Sequence, residues 1–428
     1  MATITIKNVG PIREANLTLN KINVFMGPQS SGKSTIAKII SHCTWLEKDV
    51  ATSQSLETYQ KNPVLFKEHI EGFHKMKGYF NTDSYIYYKS EILEIIWEKG
   101  NCSLNWVNQY AYKRSKIAYI PSERNMIVLP EARKVEFGNT NVRSFLFDWF
   151  DARKKHPKNN KLSILNLGVD YYYVEGNIYE EDRICGINDG IEYDIALSNA
   201  SSGLQSITPL VALIEYLTKW IYDEDNTSFE QQEKQRKVNK YLIDEKIIKP
   251  YFKKLSFSIE ERSEMISQFN EKLKNNDDEV RTLHNTFSDL LENLFITQNS
   301  QFIIEEPEQN LFPGAQRDLV YHLLKRCLNK DGNKLTITTH SPYILYALNN
   351  CMMGKLVFDR MDKEDKDSIG CKSSLINPKE VFIYQIDDGI LKNIQHEDAL
   401  IGSNNFDEKM KEIMDDYYTL LKYYDDEK

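Results

Sequence analysis

The sequence lacks any hydrophobic run that approaches the roughly 20 apolar residues needed to cross a bilayer. Residues 1–7 alternate polar and apolar like a strand, and they contain no long apolar core of the kind found in secretion signals. These absences exclude a membrane transporter unless another chain supplies the spans. We therefore predict a cytoplasmic protein without a membrane segment.

Cysteine is scarce and unpaired along the sequence. None of the six cysteines belongs to a CxxC pair or has a zinc-like spacing to histidine. They are Cys43, Cys102, Cys185, Cys327, Cys351 and Cys371. This pattern indicates buried free thiols in a reducing compartment rather than a disulfide framework.

Basic residues are in the minority. The net charge of -9 argues against a protein that coats itself in nucleic acid through overall charge, so any DNA contact would have to be local. Hydrophobic residues make up 41% and charged residues 27%, which is typical of globular domains. The 428 residues allow two or three folding units, and we find no internal repeat or low-complexity linker.

A glycine-rich motif, GPQSSGKST, occupies positions 27–35. Residues 21–26 before it read as a strand, and positions 34–45 after it have apolar residues at helical spacing. Strand, glycine loop and helix, in that order, are the context of a phosphate-binding P-loop. Its residues are Gly27, Pro28, Gln29, Ser30, Ser31, Gly32, Lys33, Ser34 and Thr35.

Each polar residue of this loop has an expected role. Backbone N–H groups at the helix N-terminus would wrap the phosphate oxygens. Lys33 would reach the β- and γ-phosphates, Ser34 would place its hydroxyl on Mg²⁺, and Thr35 would lie near the α-phosphate. We therefore expect ATP and Mg²⁺ as cofactors.

Two acids follow a buried strand further along the chain, in FIIEEP at 302–307. A carboxylate at the end of a central strand can hold the magnesium shell while its neighbour polarises a water. We expect Glu305 in the first role and Glu306 in the second. Two acids in this position can also be an ordinary solvated strand end, but the P-loop upstream favours the functional interpretation.

His340 follows the next expected strand, at 334–338. Its imidazole could hydrogen-bond the γ-phosphate and sense its loss, whereas a lone histidine would more often be structural. Its position one strand after the paired glutamates favours the functional interpretation.

A serine-rich segment, ASSGLQS at 200–206, precedes a run with helical spacing. Ser201, Ser202 and Gly203 could simply cap that helix. They could equally form a second anion site at its N-terminus, for which one P-loop has no use within its own subunit. Both interpretations stay open on the residues alone.

These four motifs, in this order, resemble those of ABC-type ATPases of the SMC, RecF and OLD branch, especially the bacterial stand-alone ATPases found in phage-defence operons. The resemblance covers about 1–45, 115–222 and 300–350. It implies that Ser201, Ser202 and Gly203 form the signature motif, which meets in trans the γ-phosphate held by a second subunit. It also implies a magnesium ligand at Glu305, a catalytic base at Glu306 and a switch histidine at His340, with residues 308–311 as the D-loop.

The chain departs from the family pattern at several positions. The signature reads Ala-Ser-Ser-Gly-Leu rather than Leu-Ser-Gly-Gly-Gln, and Glu305 replaces the usual aspartate, so hydrolysis is expected to be slow. About seventy residues separate the signature helix from position 302. In addition, residues 122–125 lie where a Q-loop is expected, but the glutamine is absent.

The resemblance implies an α/β fold: a P-loop NTPase with an ABC-type head, in which a mixed central sheet is joined by an antiparallel patch. The short strands of 162–196, with a hairpin signal at Asn188-Asp189-Gly190, fit that patch. The expected segments are an ATPase core at 1–45, 116–222 and 300–395, helical insertions at 46–115 and 223–299, and an acidic tail at 396–428. The second insertion is expected to project as helices beside the active face.

Two functions remain open. The first is a switch in which ATP closes a homodimer or a higher homo-oligomer and thereby controls a partner effector, such as a nuclease encoded nearby, in anti-phage defence. The second is a RecF-like or SMC-like DNA-binding ATPase in repair or recombination, which would use local basic stretches such as residues 153–158. The acids at 387–388 and 397–398 are explained by turns and surface, so we predict no nuclease within this chain.

Overall fold

The computed structural model describes residues 1–129, 131–132, 138–176, 180–188, 190–222 and 229–424. The strands are β1 (Ala2–Val9), β2 (Ile12–Leu19), β3 (Ile22–Met26), β4 (Phe80–Lys89), β5 (Leu93–Glu98), β6 (Asn101–Trp106), β7 (Ser115–Ile120), β8 (Leu162–Ser163), β9 (Val169–Val174), β10 (Glu181–Asn188), β11 (Ile191–Ala196), β12 (Asn299–Glu305), β13 (Lys334–Thr339), β14 (Val381–Asp387) and β15 (Ile390–Asn393). The helices are α1 (Lys33–Ser53), α2 (Glu57–Lys61), α3 (Leu65–Phe73), α4 (Asn141–Arg153), α5 (Ser202–Lys219), α6 (Phe229–Ile243), α7 (Lys249–Phe252), α8 (Ile259–Lys274), α9 (Asp278–Phe295), α10 (Pro313–Cys327), α11 (Pro342–Val357), α12 (Lys363–Ser368) and α13 (Asn405–Leu421).

The main sheet has eleven strands in the order β6-β5-β4-β1-β2-β15-β14-β3-β13-β12-β7. Strands β14, β3, β13, β12 and β7 are parallel to one another, and β6, β5, β4, β1 and β2 form an antiparallel set. Strand β15 joins the two sets, antiparallel to β14 and parallel to β2. A separate antiparallel sheet has the order β11-β10-β9-β8. These sheets and their surrounding helices confirm the predicted α/β fold with a mixed central sheet and an antiparallel patch.

The main sheet lies between two hydrophobic cores. All five residues of β3 are buried, as expected for a central parallel strand that is covered on both faces. In β3, Val24 faces one hydrophobic core and Phe25 faces the other, because successive side chains point to opposite sides of a sheet. Helices α5, α10 and α11 contribute to the first core, and α1 contributes to the second.

The prediction that residues 46–115 are helical is wrong for 80–106, where the structure has the antiparallel strands β4, β5 and β6. In β5 the buried residues are Leu93, Ile95 and Trp97, a spacing of two rather than of three or four. Strand β4 pairs with β1, so this segment widens the central sheet. Its conformation depends on pairing with residues about eighty positions away in the sequence.

Helices α6, α8 and α9 lie within the stretch expected to project from the head, and residues 223–228 at its start lie outside the described residues. Instead of projecting, α6 and α9 pack against α1 and bury Leu242 and Leu294. Helix α8 is largely solvated, with Phe269 as its buried residue. Most residues of this stretch are polar, so the few apolar positions that pack against the core were not recognised from the sequence.

Two further sequence features have a clear place in the structure. Strands β10 and β11 pair as a hairpin, although Asp189 of the expected turn lies outside the described residues. The acidic tail contains α13, and none of the residues of this helix is buried. Within the described residues, no helix combines the length and the apolar content that a membrane span requires.

Candidate nucleotide-binding and catalytic site

The candidate residues meet at one edge of the main sheet. Met26 at the end of β3 pairs with Thr339 of β13, and Thr338 pairs with Glu305 of β12. Strand β7 continues the parallel set, with Ile120 opposite Ile304. The carboxyl ends of parallel strands form the crevice in which α/β proteins bind ligands. The segments that follow β3, β12 and β13 carry the P-loop, the paired glutamates and His340.

The loop between β3 and α1 needs glycine for steric reasons. Gly27 has φ +146°, and a Cβ on it would lie 2.3 Å from the carbonyl oxygen of Ile386. Gly32 is the N-cap residue of α1 and has no side-chain cap, so the first N–H groups of the helix are available to a ligand. The backbone therefore has the shape and polarity of an anion cradle.

Lys33 is the first residue of α1, and its side chain reaches back to the loop. Its Nζ donates hydrogen bonds to the carbonyl oxygens of Gly27 at 2.9 Å and Pro28 at 2.7 Å. Burial lowers the pKa of Lys33 to about 8, against the opposing effect of the Glu306 and Glu308 carboxylates. An anion in the loop would favour the charged ammonium and return its pKa toward the ordinary value.

The other polar loop residues differ in their exposure. The Ser31 hydroxyl is buried and has no hydrogen-bond partner among the described residues. Ser34 is half-buried and Thr35 is buried, while Gln29 and Ser30 are exposed.

A cavity of about 630 Å³ opens beside the loop and continues past Ser30. Its far wall is Arg13 and the β14–β15 hairpin turn, where Arg13 Nε donates to the Asp388 carbonyl oxygen at 2.6 Å. Acidic residues 387–388, which the sequence assigned to a surface turn, thus border the P-loop. This volume is sufficient for the base and sugar of a nucleotide.

Glu305 is buried at the end of β12. Its Oε2 accepts a long hydrogen bond of 3.4 Å from the backbone N–H of Ser122, whereas its Oε1 has no hydrogen-bond partner among the described residues. The Tyr119 hydroxyl is its neighbour, and the pKa of Tyr119 is raised well above its usual range by burial first and by Glu305 second. A buried carboxylate oxygen without a donor fits a place in a cation's coordination shell.

Glu306 and His340 are in direct contact. His340 Nε2 lies 3.2 Å from Glu306 Oε1. The hydrogen bond from His340 lowers the pKa of Glu306, and Lys33 and Arg124 act in the same direction. Glu306 also has φ +44°, a left-handed backbone conformation that non-glycine residues seldom adopt. Strain of this kind at a paired carboxylate is typical of functional sites.

Glu308 connects the two segments. Its Oε1 accepts hydrogen bonds from the backbone N–H of His340 at 2.7 Å and from Thr339 Oγ1 at 2.8 Å. Burial raises its pKa, although these hydrogen bonds oppose the increase. Glu308 therefore fixes the backbone that carries His340.

Arg124 is the residue whose role the sequence did not reveal. Its side chain is completely buried, and it donates to the carbonyl oxygens of Glu305 at 2.8 Å and Glu306 at 2.6 Å. Burial lowers its pKa to about 10, so it stays charged at neutral pH. Its position just after β7 was the sequence feature that could have indicated this role. The guanidinium holds the backbone of both glutamates in place.

The serine-rich segment begins α5. Ser201 is its N-cap, and its side chain accepts a hydrogen bond of 3.4 Å from the N–H of Leu204. Ser201 and Ser202 are exposed, and a Cβ on Gly203 would lie 2.8 Å from the Asn310 carbonyl oxygen. In the part of the chain that is described, no hydrogen bond joins 200–206 to 27–35. The segment thus contacts the expected D-loop of its own chain and presents its serines to solvent.

The basic run at 153–158 is only partly available for DNA. Arg153 is buried, with its guanidinium 2.9 Å from Glu180 and 3.6 Å from Asp182. His156 is also buried, and its ring packs against Trp220. Two members of the run therefore stabilise the second sheet and its surroundings.

No protein-family model and no curated protein matches the sequence. Among solved structures, the chain is similar to an SMC head domain from Thermotoga maritima, with 11% identity, a TM-score of 0.33, and coverage of 92% of this chain and 98% of that one. It is also similar to an ATP-binding cassette bound to ADP and Pi in a dimeric post-hydrolysis state, with 10% identity, a TM-score of 0.30, and coverage of 92% and 99%.

A third similar structure is the recombination mediator RecF in the RecFOR pathway, with 11% identity, a TM-score of 0.29, and coverage of 92% of this chain and 97% of that one. Similarity at this level says nothing about substrate or assembly.

Proposed function

We propose that this chain is an ABC-type ATPase that binds ATP in the P-loop and hydrolyses it with Glu306 as general base. One observation carries the proposal. One edge of the sheet brings together the P-loop with its buried lysine, the paired glutamates and His340. His340 Nε2 lies 3.2 Å from Glu306 Oε1. A polyphosphate cradle next to an ionised carboxylate suits the attack of water on a γ-phosphate.

Each residue has a distinct task in this chemistry. Lys33 and the N–H groups of α1 would hold the phosphates, and the base and sugar would occupy the cavity lined by Arg13. Ser34 and Glu305 would hold Mg²⁺, which would neutralise charge on the phosphates. His340 would orient the Glu306 carboxylate and approach the γ-phosphate. Glu306 would accept a proton from the attacking water.

The exposed serines of α5 support a site shared between two chains. They lie at a helix N-terminus, which attracts anions, and they make no hydrogen bond with the P-loop of their own chain within the described residues. The γ-phosphate bound by a second copy would be a suitable ligand. We therefore extend the proposal to a homodimer in which Ser201, Ser202 and Gly203 of one copy complete the site of the other.

Slow hydrolysis should make the closed dimer visible. We expect the Glu306→Gln variant to sediment as a monomer without nucleotide and as a dimer with ATP and Mg²⁺. The variant binds ATP but does not hydrolyse it, so the ATP-closed dimer persists. Analytical ultracentrifugation would measure this change. Lys33→Ala is the matched control, since loss of the ammonium removes phosphate binding and should leave a monomer in both conditions.

Two results would contradict the shared site. A monomer in both conditions would exclude ATP-dependent closure. A dimer that forms equally well without nucleotide, or in the Lys33→Ala variant, would show that association has another cause. ADP in place of ATP serves as a further control, because it lacks the γ-phosphate that the serines would contact.

In the cell, we propose that closure of the dimer controls a partner effector in anti-phage defence. This step rests on the resemblance of the four motifs to stand-alone defence ATPases. The DNA-binding alternative has less support, because Arg153 and His156 of its basic run are buried. A salt-dependent DNA affinity that is lost when Lys154, Lys155 and Lys158 are neutralised would favour that alternative instead.

A further inference from the structure

A cavity of about 250 Å³ lies between α1, α6 and the segment that precedes β7. Three basic residues line it: Lys48 of α1, Arg114 just before β7, and Lys234 of α6. We refer to these three residues as the basic cluster. Among the described residues of the wall, Asp49 is the one acid. The cavity therefore brings together positive charge from three separate segments of the chain.

The basic cluster is distant from the P-loop. Lys48 follows Lys33 by fifteen residues in the same continuous helix, a separation of about 22 Å. Arg114 precedes the first residue of β7, whereas the candidate active site lies at the carboxyl ends of the parallel strands. The cluster thus lies toward the opposite edge of the sheet, and the ATPase chemistry proposed above gives it no task.

None of the three cations of the basic cluster forms an ion pair within the part of the chain that the structure describes. The carboxylate of Asp49 accepts a hydrogen bond from the Tyr59 hydroxyl at 3.1 Å. The carboxylate of Asp148, which is also close to the cluster, pairs with Lys116 Nζ at 2.6 Å. With both acids and Lys116 included, an excess of two positive formal charges remains, in a chain whose net charge is -9.

The cations of the cluster repel one another. Burial lowers the pKa of Lys48 to about 7, and the charges of Arg114 and Lys116 act in the same direction, while Asp148 opposes them. Burial also lowers the pKa of Arg114. Desolvated like charges cost free energy in the absence of a counter-ion. An anion between them would remove that cost and return the pKa of Lys48 toward its ordinary value.

The charged groups are accessible from the cavity. Lys48 and Arg114 are half-buried, and Lys234 is exposed. Neither the Lys48 ammonium nor the Arg114 guanidinium is among the fully enclosed polar atoms of the described residues that lack a hydrogen bond. An anion in the cavity can therefore accept hydrogen bonds from both groups.

Local structure does not explain these side chains. The dipole of a helix favours cations in its last turn, but the last turn of α1 contains no basic residue, and Lys48 lies before it. The main chain of Arg114 is fixed, because its N–H donates to the Asn293 carbonyl oxygen at 2.7 Å and its own carbonyl oxygen accepts from Gln298 at 2.8 Å. The guanidinium is left without a partner in the described residues.

The size of the cavity limits the class of ligand. Pockets for drug-sized molecules begin at about 300 Å³, so this cavity suits a compact anion rather than a whole nucleotide. Ammonium and guanidinium groups form strong charge-assisted hydrogen bonds with phosphate oxygens, and arginine can offer two parallel N–H groups at once. A phosphate group matches both the volume and the donors.

We propose that the basic cluster binds a small anion of the phosphate class, such as pyrophosphate or a small phosphate ester. Lys48 and Arg114 would be its direct ligands, and Lys234 would be the ligand that α6 contributes. The second helical insertion would thereby help to form a binding site. This site is separate from the P-loop and does not depend on the function proposed above.

Methionine variants remove the charge and keep a long side chain. Lys48→Met and Arg114→Met take away cations that repel each other, so neither variant should unfold at a lower temperature than its parent when no anion is present. Lys274→Met, at an exposed lysine of α8, is the matched control. All of these changes are made in the Lys33→Ala chain, in which the P-loop no longer binds phosphate.

The test is isothermal titration calorimetry of these full-length chains with pyrophosphate, without Mg²⁺. We expect one site per chain in Lys33→Ala, at least about tenfold weaker binding after Lys48→Met or Arg114→Met, and unchanged affinity after Lys274→Met. Absence of pyrophosphate binding by Lys33→Ala would overturn the proposal. So would an affinity that neither methionine variant of the cluster reduces.

A nucleic acid backbone could use the same cations, and a single-stranded oligodeoxythymidine distinguishes this case. We expect pyrophosphate to bind the Lys33→Ala chain more tightly than the oligonucleotide does per phosphate group. An oligonucleotide that binds through Lys48 and Arg114 while pyrophosphate does not bind would assign the cluster to a nucleic acid surface. That result would overturn the proposal of a small-anion site.

Discussion

Replacing Glu306 by glutamine is expected to lower the turnover number for ATP by about 10²- to 10⁴-fold. The amide keeps the size of the side chain and can still hydrogen-bond His340, but it cannot accept a proton from water. The KM for ATP should change little, because the phosphates are held by the P-loop rather than by Glu306. Steady-state phosphate release at several ATP concentrations would measure both constants.

Glu397→Gln is a suitable control for this experiment. Glu397 is an exposed carboxylate after β15, so the variant removes one negative charge from the surface without touching the paired glutamates. Its turnover should equal that of the wild type. A Glu306→Gln variant that keeps more than about a tenth of wild-type turnover would show that another group takes the proton.

Replacing Arg124 by leucine is expected to have the largest effect on stability. The carbonyl oxygens of Glu305 and Glu306 would lose their buried donors, which should reduce the free energy of unfolding by about 3 kcal/mol. Glu306 would also lose the contact that helps to hold its left-handed backbone conformation. We therefore expect the turnover number to fall at least about tenfold with little change in KM.

Arg124→Lys separates positioning from general destabilisation. A lysine keeps the charge and can donate to one carbonyl, so it should recover part of the stability but little of the turnover, because it lacks the planar fork that reaches both. Arg143→Leu, at an exposed arginine on α4, should change neither property. Urea denaturation and phosphate release would measure the two effects. Full turnover in Arg124→Leu would exclude a positioning role.

The parts of the site that the sequence predicts are those with local determinants. Gly27 to Thr35 form a loop whose conformation follows from its own glycines and its flanking strand and helix. Glu305, Glu306 and His340 follow strands with continuous apolar runs, which identify buried parallel strands. Because such strands end at the same edge, their last residues can be placed together without a structure.

The remaining features depend on contacts between residues distant in the sequence. Strands β4 to β6 form because β4 pairs with β1, and their polar and aromatic composition alone also suits a helix. Arg124 is in a short polar turn that would ordinarily be solvated, and only the packing of β7 beside β12 buries it against the glutamates.

The shared site is tested most directly by mixing two inactive variants. Lys33→Ala disables the P-loop of its own copy, and Ser202→Glu places a negative charge where the partner's γ-phosphate would lie. Ser202 is exposed and is not the cap residue, and an acid in the first turn of α5 favours the helix, so the fold should be retained.

Each variant alone should be inactive, because Lys33→Ala binds no ATP and Ser202→Glu presents an acid to the bound γ-phosphate. In an equal mixture, only a pair that contains both variants can close around ATP, and each such pair has one intact site of two. ATP turnover per chain should therefore recover to at most about half of the wild-type value. A mixture that stays inactive, or a Ser202→Glu variant with full turnover on its own, would contradict the account.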